Sequence, residues 1–88
     1  MREALDHFTR ALLIHNRTGD AFGMAGTEDN IGGVLEAQDQ TDEALIHYQR
    51  ASALHEHVDD QRGMGYSLRN IASIELKRDA ADSALVDA

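Results

Sequence analysis

Eighty-eight residues without a cysteine make one small domain at most, and exclude disulfides, thiolate metal sites and cysteine nucleophiles. Sixteen acidic against eight basic residues give a net charge of -8, which disfavours nucleic acid and anionic membrane as partners because both need clustered cations. The apolar share of 42% is too high for a disordered tail. With no run near the roughly 18 apolar residues that span a bilayer and no secretion-type leader, a soluble cytoplasmic protein is expected.

In chain order, Ala4, Leu5, Phe8, Ala11, Leu12 and Ile14 fall at three/four spacing and predict an amphipathic helix over about 2–18. Gly19-Asp20 ends it. A second helix, about 21–38, carries a weaker stripe of Ile31, Val34 and Leu35 and four glycines, Gly23, Gly26, Gly32 and Gly33. These cost on the order of 3–4 kcal/mol of helix propensity, so this element is expected to fray or bend and is a candidate hinge. Ala44, Leu45, Tyr48, Ala51 and Leu54 predict a third helix over about 42–57, and Leu68, Ile71, Ala72 and Ile74 a fourth over about 61–78. Asp79 to Asp82 reads as a break, with the stub of a fifth helix starting at 82 and containing Ala84, Leu85 and Val86. Aspartates 20, 42, 60 and 82 each stand where a side-chain oxygen can cap a helix start. Arg17, Lys77 and Arg78 stand near helix C-termini, where the dipole favours cations.

These elements repeat. Shifted by 40, Glu3-Ala4-Leu5 falls on Glu43-Ala44-Leu45, His7 on His47, Arg10-Ala11 on Arg50-Ala51 and His15 on His55. Asp20, Gly23-Met24 and Asn30-Ile31 fall on Asp60, Gly63-Met64 and Asn70-Ile71. About 16 of 48 ungapped pairs are identical, against about three by chance, as stacked supersecondary units require. Links of two to four residues make consecutive helices antiparallel hairpins. The fold class read from the sequence is therefore all-α, a single domain over 1–88.

Ala4-x3-Phe8-x2-Ala11 and Ala44-x3-Tyr48-x2-Ala51 resemble the second helix of a tetratricopeptide repeat. Asn30-Ile31-Gly32 and Asn70-Ile71-Ala72 resemble the Asn-Leu-Gly of its first helix, and Asp20-x2-Gly23 and Asp60-x2-Gly63 resemble the lead-in of the longer, roughly 40-residue subtype. The resemblance implies an α-solenoid fragment of about two repeats, out of phase: a second-type helix, one whole unit (about 21–57), then a first-type helix and a stub. The chain departs from the family pattern at Glu28, where a large apolar residue is usual, at Asp39 and Asp79, which replace a turn glycine, and at Glu75, which replaces an aromatic. Looser packing of the 21–38 helix follows from these departures as an expectation.

In such arrays the first helices line a peptide-binding groove. The resemblance then implies that Asn30 and Asn70 face it, with Tyr66, Arg69, Ser73, Leu76 and Lys77 beside Asn70, and Gly26, Asp29, Gly33, Glu36 and Ala37 beside Asn30. An Asn amide both donates and accepts, so it can grip a ligand backbone; the alternative is that both amides bridge helices. Arg69 and Lys77 against Asp29 and Glu36 argue against a ligand held by a C-terminal carboxylate. The partner expected is a protein or peptide, and the function protein–protein binding.

The rival reading is self-association in a homo-oligomer, as a dimer or domain swap, through Leu5, Phe8, Leu12, Ile14 and Leu85, apolar positions at the two ends of the array, or else a piece of a larger tetratricopeptide regulator with no ligand of its own. His55-Glu56-His57 has no ligand spacing on a helix, and the in-register pairs His7/His47 and His15/His55 are expected on the solvent side, so no metal site is expected. Gly23-x2-Gly26 and Gly63-x-Gly65 lie in helices with no strand feeding them, which denies a phosphate cradle. No cofactor and no catalysis are expected.

Overall fold

A computed structural model describes the backbone of residues 2–87 and the side chains of 2–14 and 19–81. The described residues form four helices and no strand: α1 (Arg2–Thr18), α2 (Ala21–Ala37), α3 (Thr41–His57) and α4 (Gln61–Asp87). The chain is all-α, and no helix is long and apolar enough to cross a membrane among the described residues. Each helix packs on the next. In addition α2 approaches α4, whereas among the described residues α1 reaches neither α3 nor α4.

The turns set a 20-residue beat. Among the described residues positive φ occurs at Gly19 (71°), Asp39 (61°) and Asp59 (59°). After α2 the amide of Gln40 donates to the Leu35 carbonyl and that of Asp39 to Glu36; after α3 Asp60 donates to His55 and Asp59 to Glu56. Both are Schellman closures, in which one left-handed residue lets the chain reverse while satisfying carbonyls at the helix end. Aspartate takes the place usual for glycine, as its short polar side chain tolerates this conformation better than most.

The capping pattern is half as predicted. Asp20 accepts from the Gly23 amide at 2.9 Å and Asp60 from the Gly63 amide at 3.0 Å, so these two begin α2 and α4 as expected. Asp42 is not a cap: α3 begins one residue earlier, Gln40 precedes it without a side-chain cap bond, and Asp42 sits in the first turn, pairing with Arg78 of α4. Asp82 lies outside the described side chains. The break expected at 79–82 is absent, and α4 runs through it. Asp79 is not left-handed, and Ala80 and Ala81 are the strongest helix formers, so the fourth beat passes without a turn.

The α2 helix is continuous and supplies the largest set of buried residues: Ala25, Thr27, Glu28, Asp29, Ile31, Gly32 and Leu35. The looseness expected from its glycines and from Glu28 is not what packing makes of it. Gly32 lies under the Tyr48 ring; a Cβ there would meet Cε1 at 2.7 Å and Cδ1 at 2.8 Å. Ile31, Leu35, Ala44, Tyr48 and Ile74 form the core, with Leu5, Phe8, Leu12, Leu45 and Ile71 partly buried against it. On α3 the stripe Ala44, Tyr48, Ala51 is buried, since α3 packs on both α2 and α4. Its counterpart on α1, Ala4, Phe8, Ala11, is only half-buried, since α1 packs on α2 alone.

Candidate functional site

Two arrangements stand out, one buried and one exposed. The buried one starts from Asp29 on α2, a charged residue that an amphipathic helix turns inward. Burying a carboxylate is costly unless hydrogen bonds replace water. Here Asp29 accepts from Ser67 Oγ of α4 at 2.8 Å and meets His55 Nε2 of α3 at 2.9 Å. One carboxylate thus ties three helices together.

His55 Nδ1 lies 3.2 Å from Asp60 Oδ2. The approach is too bent for a hydrogen bond, which leaves Nδ1 as the buried side-chain atom without one among the described residues. Gly63 makes room for this ring, since a Cβ there would run into His55 Nδ1 and Cε1 and Asp60 Oδ2.

A serine, a histidine and an aspartate in contact invite comparison with a nucleophilic triad. The order is wrong for one. Ser67 donates to the carboxylate and not to the imidazole, and it is fully buried, so the histidine cannot take its proton and no substrate can reach it. The chemistry available to this cluster is that of a structural clasp.

A second pair starts from the neighbouring residue of α2. Glu28, the residue that departs from the repeat pattern, is buried and lies 2.6 Å from His47 Nδ1. The histidines expected on the solvent side are thus corrected. His55 is buried and His47 half-buried, because α2 presents a carboxylate to each. His7, in the same register as His47, is exposed, and the His15 side chain lies outside those described. A charged residue at a core register position was the one sequence signal for this network, since it must find a partner. Among the described residues no group of three or more His, Asp or Glu has metal-holding geometry.

Tyr48 completes the buried set. Its hydroxyl donates to Glu36 Oε1 at 2.9 Å. Burial first, then the hydrogen bond and charge of Glu36, push the phenol well above its ordinary value. The folded chain then holds this proton more tightly than the unfolded chain. Stability is intact below the ordinary phenol pKa of about 10 and falls as pH rises above it. Urea unfolding should show a loss of up to about 1.4 kcal/mol per pH unit above pH about 10, and Tyr48→Phe should remove most of that slope. A Tyr48→Phe chain with the same alkaline slope would show that the phenol is not its source.

The exposed arrangement is a stripe. The exposed residues of α2 are Phe22, Gly26, Asn30, Gly33 and Ala37, one line along the helix at three/four spacing. None is charged. Cβ positions on Gly26 would meet nothing, and on Gly33 only Tyr48 Oη at 3.8 Å, so the backbone is open to close approach. The 40-residue register places Arg62, Tyr66, Asn70, Ser73 and Lys77 opposite on α4; Arg62, Tyr66 and Lys77 are exposed, Asn70 and Ser73 half-buried, and Arg69 is exposed beside them. Among the described residues no side chain bonds the Asn30 or Asn70 amide. Asp29, expected beside Asn30 at the groove, turns inward instead. Lys77 reaches Glu36 at 3.7 Å, and both help to line a cleft of about 270 Å³ with Thr41, Ile74 and Arg78.

Of the apolar end positions, Leu5, Phe8 and Leu12 spend part of their surface on the chain's own core. Ile14 is 59% exposed, and the Leu85 side chain is outside those described. A second cleft of about 380 Å³ lies between α1 and α2, lined by Thr9, Leu12, Leu13 and Met24. Comparison with models of protein families, with curated proteins and with solved structures gave no match.

Proposed function

We propose that the chain is a tetratricopeptide-like scaffold that binds a peptide or protein segment along the face shared by α2 and α4. The observation that carries this reading is the uncharged stripe Phe22, Gly26, Asn30, Gly33, Ala37 on the surface of a chain with a net charge of -8. A solvated face of such a chain would be expected to carry acids. This one offers bare backbone, one aromatic and an amide that no described side chain bonds. The approach of α2 to α4, with α1 and α3 apart, supports a curvature that puts α2 and α4 on the inner side. Asn30 and Asn70 hold the ligand backbone, while Tyr66, Arg69, Ser73 and Lys77 give the α4 wall an aromatic, a hydroxyl and two cations.

Panning a displayed library of random linear peptides against the 88-residue chain supplies probes. Losing two amide hydrogen bonds is expected to weaken the selected peptides about tenfold or more in the Asn30→Ala/Asn70→Ala chain, with thermal unfolding unchanged because both residues lie on the accessible face. Unaltered affinity would remove these two residues from the site.

A further inference from the structure

The internal repeat allows one interface to be transposed onto another. In the α2–α3 hairpin the Tyr48 ring lies on Gly32 and its hydroxyl on Glu36, while His47 pairs with Glu28. Moving the α2 residues forward by 40 gives Leu68, Ala72 and Leu76 on α4. Moving the α3 residues back by 40 gives His7 and Phe8 on α1. These surfaces are open: Leu68 is 48% and Leu76 68% exposed, Ala72 and His7 are exposed, and Phe8 is half-buried where Tyr48 is 3% exposed.

The substitutions between the two sets go together. Where Tyr48 has a hydroxyl, Phe8 has none, and the Glu36 that accepts from that hydroxyl is matched by Leu76. The buried Glu28 is matched by Leu68. Three of the four polar partners of the hairpin thus become apolar, Tyr48 as Phe8, Glu36 as Leu76 and Glu28 as Leu68, while His47 stays a histidine as the exposed His7. This removes the hydroxyl and both carboxylates that would otherwise have to be buried in register. Leu68, Ala72 and Leu76, at spacings of four, make one apolar line along α4. Ala72 in place of Gly32 holds the facing ring farther out by its methyl group.

We propose that these two faces bind each other between copies: α1 of one chain packs on α4 of the next as α3 packs on α2, with Phe8 over Ala72 and beside Leu76, and His7 near Leu68. The occupant of the α4 face is a second copy of this chain, and the argument for it is continuity with the α2–α3 interface. The two faces differ, so the contact is heterologous and head-to-tail, and it adds subunits until a ring closes or a filament forms. This inference stands apart from the peptide groove, because the exposed α2 stripe takes no part in it.

The absence of native cysteine makes the test clean. His7→Cys and Leu68→Cys chains are prepared separately, checked for helicity by circular dichroism, and treated with a short bis-maleimide alone and mixed. The expected result is a covalent dimer in the mixture and none from either chain alone, with Leu76→Glu added to the Leu68→Cys chain lowering its yield about tenfold or more. Failure of the mixture to cross-link while both chains are folded overturns the proposal. So does self-linking of one variant as efficient as mixed linking, which would indicate a two-fold contact instead. Light scattering on the unmodified chain gives an independent reading: mass rising with concentration is expected, and a monomer at every concentration overturns the proposal.

Discussion

Asp29→Ala is expected to cost about 3–6 kcal/mol, the loss of two hydrogen bonds to a buried carboxylate at about 1.5–3 kcal/mol each, in a chain of this length whose whole stability is about 4–13 kcal/mol. The variant should therefore lose between about a quarter and all of that stability. Without the carboxylate, Ser67 keeps only its contact to the Gly63 carbonyl at 3.3 Å. The Nε2 of His55 loses its only described side-chain partner in a site from which water is excluded. Ser67→Ala removes one hydrogen bond and leaves the Asp29–His55 contact, so it should cost about 1–2 kcal/mol. The order Asp29→Ala well above Ser67→Ala is the signature of a carboxylate serving two helices at once. A double-mutant cycle between them should give a coupling of about 1 kcal/mol or more. Chemical denaturation measures all three; an Asp29→Ala chain within about 1 kcal/mol of the parent would mean that the clasp does not hold the helices together.

The second large effect is a contrast between glycines of one helix. Gly32→Ala should destabilise the chain by about 1–3 kcal/mol, the usual cost of overpacking, because the new Cβ would lie 2.7–3.0 Å from three ring atoms of Tyr48. The ring cannot simply swing away: its hydroxyl is held by Glu36 and its other side is packed in the core. Gly26→Ala, six residues earlier on the same helix, meets nothing within 4 Å and should stabilise by about 0.5–1 kcal/mol through helix propensity alone. Opposite signs at two glycines of α2 separate packing from propensity, which a single substitution would confound. If both substitutions stabilise, α3 is not seated on α2 as described.

Both predictions depend on α2, which sequence reasoning valued least. Its glycines and Glu28 read as weakness because propensity and apolar patterning are properties of one segment. Glu28 and Asp29 are each matched by a histidine of α3, and Gly32 by an aromatic ring, so the features that weaken the isolated helix are the ones that join it to its neighbours. The pairs lie 19 and 26 residues apart in sequence, beyond the reach of any local pattern. His7 and His47 make the same point. The register gives them equal standing, yet one is exposed and the other is paired, because Glu28 of α2 meets His47 on α3.

The sequence by itself determined the all-helical class, the positions of the four helices to within a residue at most ends, the 40-residue register and the inward stripes on α1 and α3. Each follows from spacing along one helix and from caps within a turn of its start, so the information is local. It also placed Asn30, Tyr66, Arg69 and Lys77 at positions that proved exposed. Only the tertiary structure decided that α4 runs on through Asp79, where a left-handed turn was equally writable, and that Asp29 turns inward to join His55 and Ser67. Those outcomes depend on which groups from other helices replace water around a polar side chain, and that is fixed only when the helices meet.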